Sequence, residues 1–284
     1  MRAVVAGIDL TAMSRRVADR ARHMAEATGL PVHLIHVLEP VDEAMIDPGH
    51  ARLMRAHQRR EAEKIAEWAR ERSSVPIEIE VPKGSPSWAL CLKAKSAPLL
   101  VVGSSSVDNF SAGPVARRVA RKSQTDTLIV RRQPRVPYRK IIAAVDFSEQ
   151  SRLAVTRAVT LFPDADVTAL YSLPARFDPM LADAGLFAEE VTASRDSRLD
   201  RARERMEMFA EPWAGQVRTL VVDGPPISTI DETLRRRSAD LVVVANKGAS
   251  STRMVLLGTV AEGVVEQAPC DVLVVRSPAP FRRP

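Results

Sequence analysis

The chain has 284 residues, 45% apolar and 27% charged, the balance of an ordinary globular protein with length enough for two compact domains. No apolar run approaches the roughly 18 residues of a membrane span, and two cysteines, Cys91 and Cys270, exclude a disulfide framework and a cysteine metal cluster. The net charge of +6 lies in the first half: residues 1–134 carry 21 Lys/Arg against 15 Asp/Glu, residues 135–284 carry 20 of each.

That surplus falls partly in RRVARK (Arg117 to Lys122) and IVRRQPR (Ile129 to Arg135). A polyanion would be attracted to such runs. Aromatic residues are only 4% of the chain and do not interleave with these arginines, so base stacking has little to work with. The favoured reading is a solvated helix face and a basic linker, with nucleic-acid binding ranked last.

In chain order, MRAVVAGIDL reads as a first strand ending at Asp9 rather than a signal peptide, so a cytoplasmic protein is expected. SRRVADRARHMAEATG has the spacing of an amphipathic helix, VHLIHV is a second strand and RREAEKIAEWARER again has helical spacing. IEIEVPKGSP is a third strand running into a turn at Gly84 and Pro86. A helix, the apolar strand PLLVVG, the glycine loop GSSSVDNFSAG, another helix and the strand TLIVRR close the first half. QPRVPY, Gln133 to Tyr138, carries two prolines and reads as a linker.

The same order then returns. KIIAAVD ends in Asp146, SRLAVTRAVTLF is a helix, VTALYS a strand and SRLDRARERMEMFAEPW a helical insertion. VRTLVVDGPP turns at Gly224 and Pro226, and DLVVVA, the loop from Ala245 to Thr259, a helix and VLVVRS follow. The offset drifts from 137 (Asp9 to Asp146) through 140 (Gly84 to Gly224) and 142 (Gly103 to Ala245) to 145 (Gly113 to Gly258). Strands alternating with helices, the strands apolar throughout, predict parallel sheets with helices on both faces. The chain is therefore expected to hold two α/β domains, 1–133 and 138–278.

Ligands of open parallel sheets bind beyond the carboxyl ends of the strands, where strand order reverses. Asp146 and Ala245 to Gly248 fall at such ends. Glycines allow close backbone approach to an anion, and Gly258-Thr259 directly precedes a helix, whose first amides and dipole favour negative charge. Lys247 and Arg253 could add charge. The alternative is ordinary turn chemistry, and neither a Walker A loop nor a G-x-G-x-x-G fingerprint occurs.

KIIAAVDFSEQS, the GPP turn and the loop with GTVAEGVVEQAPCDVLVVR together resemble the universal stress protein family in its tandem form, over nearly the whole chain. Nucleotide-binding members carry G-x2-G-x9-G-[S/T]. Here that reads Ala245, Gly248, Gly258 and Thr259, with alanine for the first glycine. Alanine there would be strained if positive φ were required. The resemblance implies Rossmann-like (adenine nucleotide alpha hydrolase-like) domains, each a five-stranded parallel sheet of order 3-2-1-4-5. It also implies closing strands that pair between domains as an internal pseudo-dimer.

It further implies ATP with its phosphates on Gly248, Gly258, Thr259 and the Val260 amide. The ribose and adenine would lie near Ala144, Asp146 and Ser172, and Mg2+ accompanies the phosphates in some members. In the first half, Ser106 replaces the middle glycine, the segment to Gly113 is three residues shorter and Pro114 replaces Thr259. One competent site, in the second half, is expected.

The five histidines all lie in the first half, with His36 in core or crevice, and no nucleophile or acid–base pair stands by the intact loop. Catalysis beyond weak ATP hydrolysis is not expected. The leading reading is a nucleotide-dependent stress-response switch acting on an unidentified protein partner. The rival is a scaffold that binds no nucleotide and works through its helices or basic first half. The sequence also allows a homodimer.

Overall fold

A computed structural model describes residues 2–40, 47–104, 112–131, 137–174, 188–247 and 257–276. The first half runs β1 (Val4–Ile8), α1 (Ala12–Glu26), β2 (Val32–His36), α2 (Pro48–Arg70), β3 (Ile77–Glu80), α3 (Pro86–Lys93), β4 (Leu100–Gly103), α4 (Pro114–Lys122) and β5 (Thr127–Val130). The second repeats it as β6 (Lys140–Val145), α5 (Glu149–Leu161), β7 (Asp166–Leu173), α6 (Ala188–Ala210), β8 (Val217–Asp223), α7 (Pro226–Arg236), β9 (Leu241–Ala245), α8 (Thr259–Gln267) and β10 (Asp271–Val275).

The ten strands form one sheet in the order β3-β2-β1-β4-β5-β10-β9-β6-β7-β8. Each half has the expected 3-2-1-4-5 order with every pairing parallel. The halves join through one antiparallel pairing, β5 to β10, with Leu128 opposite Leu273. At the offset of 145 these leucines are each other's equivalents, so a local pseudo-dyad passes between them. The central strands are apolar at almost every position because helices cover both faces: Val101, Leu128, Val243 and Leu273 face one core, Val102, Ile129, Val242 and Val272 the other.

Helix starts are encoded locally. Thr11, Asp47 and Ser148 cap α1, α2 and α5 by accepting from the amides of Met13, His50 and Ser151. Proline, which needs no amide partner, opens α2, α3, α4 and α7. Gly84 (φ 138°) and Gly224 (φ 140°) need the conformation only glycine adopts freely. Their amides donate to the Leu38 and Leu173 carbonyls, each at 3.0 Å, which turns the chain back over the sheet's carboxyl edge.

The seam corrects the reading of Arg131 as part of a solvated basic run, whereas Arg118, Arg121 and Lys122 of α4 are exposed as expected. Arg131 is buried; its amide donates to Asp271 (2.8 Å) and its guanidinium to the Val265 carbonyl. The pseudo-dyad repeats this: the Arg276 amide donates to Asp126 (2.8 Å), its guanidinium to the Ala120 carbonyl. Arg20 pairs with Asp271 at 3.2 Å and Arg157 with Asp126 at 2.7 Å. Arg117 and Arg121 of α4 pair with Glu266 and Glu262 of α8. Tyr138 breaks the symmetry, donating to Asp271 at 2.6 Å while the Arg20 guanidinium lies 3.9 Å from its ring centroid. Burial pushes the Arg131 pKa down to about 10 and the Asp126 carboxyl up.

Candidate functional site

Strand order reverses between β6 and β9 in the second half, and the crevice beyond their carboxyl ends encloses about 1020 Å³. Ala144, Asp146, Ser172, Ala245, Gly258, Thr259 and Val260 all line it. Gly248 and Arg253 lie outside the described residues.

Asp146 leaves β6 just before Phe147, whose φ of 64° is unusual for a side-chain-bearing residue. Leu10, the equivalent after Asp9, has φ 65°. The repeated excursion marks a built turn rather than an accident of one loop, and strain of this kind collects at functional sites. The Phe147 ring packs against Tyr171 at a tilt of 47°, centroids 4.4 Å apart, and the Arg205 guanidinium covers it at 4.1 Å. Asp146 Oδ1 accepts from the Ser148 amide (3.1 Å) and hydroxyl (2.5 Å), so the carboxylate is held rather than swinging. Ser172 donates its hydroxyl proton to the Gly224 carbonyl at 2.6 Å. It therefore pins the Gly-Pro turn and offers the crevice an acceptor oxygen.

Ala245 continues β9 in register with Val275. Among the described residues the only non-glycines with positive φ are Leu10, Phe147 and Ser238, so alanine is unstrained here. Its equivalent Gly103 could not carry a methyl group, because a Cβ there would meet Met13 Cγ at 2.5 Å and Val17 Cγ2 at 3.1 Å. The second half has Gln150 and Ala154 at those positions.

The start of α8 departs from expectation in one respect. Gly258 has φ −67°, so no left-handed conformation explains the glycine, and its amide already donates to the Asn246 carbonyl at 2.8 Å. The first intrahelical bond returns from Glu262 to the Gly258 carbonyl, and no side chain caps the helix. Helix geometry then leaves the amides of Thr259, Val260 and Ala261 without intrahelical partners. The donors left open at this helix start are thus these three amides and the Thr259 hydroxyl, one residue beyond the glycine itself. In the first half α4 begins at Pro114, which has no amide and no hydroxyl.

Tyr171, Ile227, Ser228 and Gln267 also line the crevice and were not singled out from sequence. Tyr171 could have been, since β7 runs parallel to β6 and places it opposite Val145, next to Asp146. No group of three or more His, Cys, Asp or Glu among the described residues is placed to hold a metal ion. Cys270 is fully buried. Burial pushes the Cys91 thiol up, away from the reactive thiolate.

The universal stress protein family model matches residues 1–131 and again 137–276. The chain belongs to the universal stress protein family. Universal stress protein MJ0531 of Methanocaldococcus jannaschii is 31% identical over 143 residues, half of this chain and 84% of that one. A universal stress protein from Archaeoglobus fulgidus shares the whole architecture, with TM-score 0.71, 18% identity and coverage of 96% of each chain. A universal stress protein solved in complex with cAMP aligns with 46% of this chain and 96% of its own at 29% identity, TM-score 0.37. Two family units in one chain, fused through β5 and β10, make this a tandem universal stress protein whose halves form an internal pseudo-dimer. No helix among the described residues is long and apolar enough to cross a membrane.

Proposed function

We propose that this universal stress protein binds one molecule of ATP, in the second-half crevice, and that occupancy alters its contacts with a protein partner in a stress response. The observation that carries the reading is the uncapped first turn of α8, whose three amides and Thr259 hydroxyl adjoin the same cavity as Asp146. Hydrogen bonds to a charged group are worth roughly 1.5–3 kcal/mol each, enough for several to hold a polyphosphate, and Lys247 lines the same cavity. Gly248 belongs to the proposed phosphate loop by its place in the motif. Asp146, Ser172 and Ala144 flank the position for ribose and base, with Leu170 and Ile230 as apolar walls.

Asp146 is the only carboxylate among the described residues lining the crevice, so a Mg2+ ion enters with the phosphates rather than into a protein cage. With Asp146 held by Ser148, hydrolysis is at most slow. The units are 1–133 and 138–278, and the location is the cytoplasm. A scaffold role receives support from Trp88 (66% exposed) and Leu92 (51%) on one face of α3. Such a role can coexist with nucleotide binding.

The first half supplies the test. Thr259→Pro copies Pro114: it removes one amide and the hydroxyl while keeping a residue suited to opening a helix. It should weaken ATP binding by about a hundredfold or more, two charge-assisted bonds by the figures above. Thr259→Ala, which keeps the amide, should weaken it by about tenfold or more. Equal affinity in wild type and Thr259→Pro, measured by titration calorimetry, refutes the reading.

A further inference from the structure

Trp88 and Leu92 are neighbours on the outer face of α3, 66% and 51% exposed. On its inner face Ala89 and Leu90, with Ala94 just beyond the helix, enter the core on that side of the sheet. The pseudo-symmetry separates what this helix needs from what it merely carries. At the offset of 140, α7 has Ile230 and Leu234 at the positions of Leu90 and Ala94, also buried. At the positions of Trp88 and Leu92 it has Ser228 and Glu232. The fold therefore requires the inward residues and does without an outward tryptophan and leucine.

The surroundings of this face are basic. α4 packs against α3 on the same core, and neither helix contains an Asp or Glu. Arg117 and Arg121 of α4 turn toward α8, where they pair with Glu266 and Glu262. Arg118 and Lys122 occupy the next stripe of that helix, and the Lys122 charge reaches the Cys91 thiol of α3. Lys95 follows α3 directly. Lys95, Arg118 and Lys122 are exposed and have no ion-pair partner among the described residues. The undescribed residues that precede α4 and follow β5 and β10 (105–111, 132–136 and 277–284) hold four arginines and one aspartate, so their sequence adds basic charge. Asp42 and Glu43 lead into α2, which packs on the sheet's other face.

We propose that the outer face of α3, with its basic neighbours, docks an acidic amphipathic helix of a protein partner. The partner's apolar stripe covers Trp88 and Leu92, and its carboxylates meet Lys95, Arg118 and Lys122. A tryptophan anchor ringed by polar groups is the usual energetic centre of a protein contact, and a helix laid on an apolar face is read through side chains one turn apart. An anionic bilayer is also drawn to basic charge and tryptophan, but two apolar side chains on an eight-residue helix offer little to insert. The docking site rests on the protein contact proposed above and gives that contact its chemistry; ATP binding is read separately.

The probe is a phage-displayed library of random peptides long enough for about four helical turns, panned on the full chain. Enriched peptides should combine Asp or Glu with apolar residues at helical spacing. A synthetic copy of the most enriched one should lose at least about thirtyfold in affinity for Trp88→Ser, which installs the second half's residue at an exposed position. Lys95→Glu with Lys122→Glu should weaken it by about tenfold at low salt, a gap that closes as salt is raised. Vesicles of phosphatidylcholine and phosphatidylserine should not sediment the protein, and ATP affinity should be the same in every variant. No enriched peptide, enriched peptides without acidic residues, equal affinity for Trp88→Ser, or vesicle binding that Trp88→Ser abolishes each overturn the docking site. Absence of ATP binding, with peptide binding intact, overturns the nucleotide reading and leaves the docking site standing.

Discussion

Ala245 shows how one residue can be misjudged from a motif. Set against a glycine pattern it looks like a lesion. In the structure it is a strand residue paired with Val275, and the glycine at the equivalent first-half position is explained by Met13 and Val17 pressing on it. Glycine in a strand interior costs about 0.5–1 kcal/mol relative to alanine. Ala245→Gly should therefore lower stability by about that amount in denaturant unfolding, and leave ATP affinity within about threefold. A large gain in affinity would show that the alanine does impair the site. Tyr138 is the opposite case. Nothing in a linear reading of QPRVPY marks its hydroxyl as a partner of Asp271, 133 residues away. Tyr138→Phe leaves a buried carboxylate short of one donor and should cost about 1–3 kcal/mol, read as a lowered denaturation midpoint with unchanged slope.

At the scale of elements, much of the site was legible because it follows from chain direction. Parallel strands alternating with helices put every strand's carboxyl end on one edge, so Asp146 and the end of DLVVVA had to approach each other once β6 and β9 were neighbours. The residues that line the crevice confirm that convergence. The identity of the free donors was not legible. Whether Gly258 or its successors present amides depends on the Gly258 amide finding the Asn246 carbonyl, a loop contact with no periodic signature. The seam was hidden for a related reason. Arginines in RRVARK and IVRRQPR look like solvent-facing charge, and their partners Glu262, Glu266 and Asp271 are more than a hundred residues distant. Pseudo-symmetry is what makes them readable afterwards, since Arg131 and Arg276 perform the same contact at an offset of 145.

At the scale of the whole molecule, the antiparallel joint between β5 and β10 turns two half-sheets into one. It buries Arg20, Arg131 and Arg276 with Asp126 and Asp271 at its flanks. Burial raises the Asp126 pKa above its ordinary 3.8 despite the neighbouring Arg276 and Arg157. A carboxyl raised in the folded state adds stability below its unfolded value and loses it as pH rises through the folded value. The difference in unfolding free energy between wild type and Asp126→Asn should accordingly shift in favour of the variant as pH rises above 3.8. A flat difference across that window would contradict the burial.

The same joint sets beside the second half a first half whose α4 opens with Pro114, which has no amide hydrogen or hydroxyl, and the proposed function accordingly assigns one nucleotide site to each chain. The most direct test is titration calorimetry of ATP with Mg2+ into the full chain, scored for stoichiometry. One site per chain is the predicted result; two sites, or no binding, would contradict it.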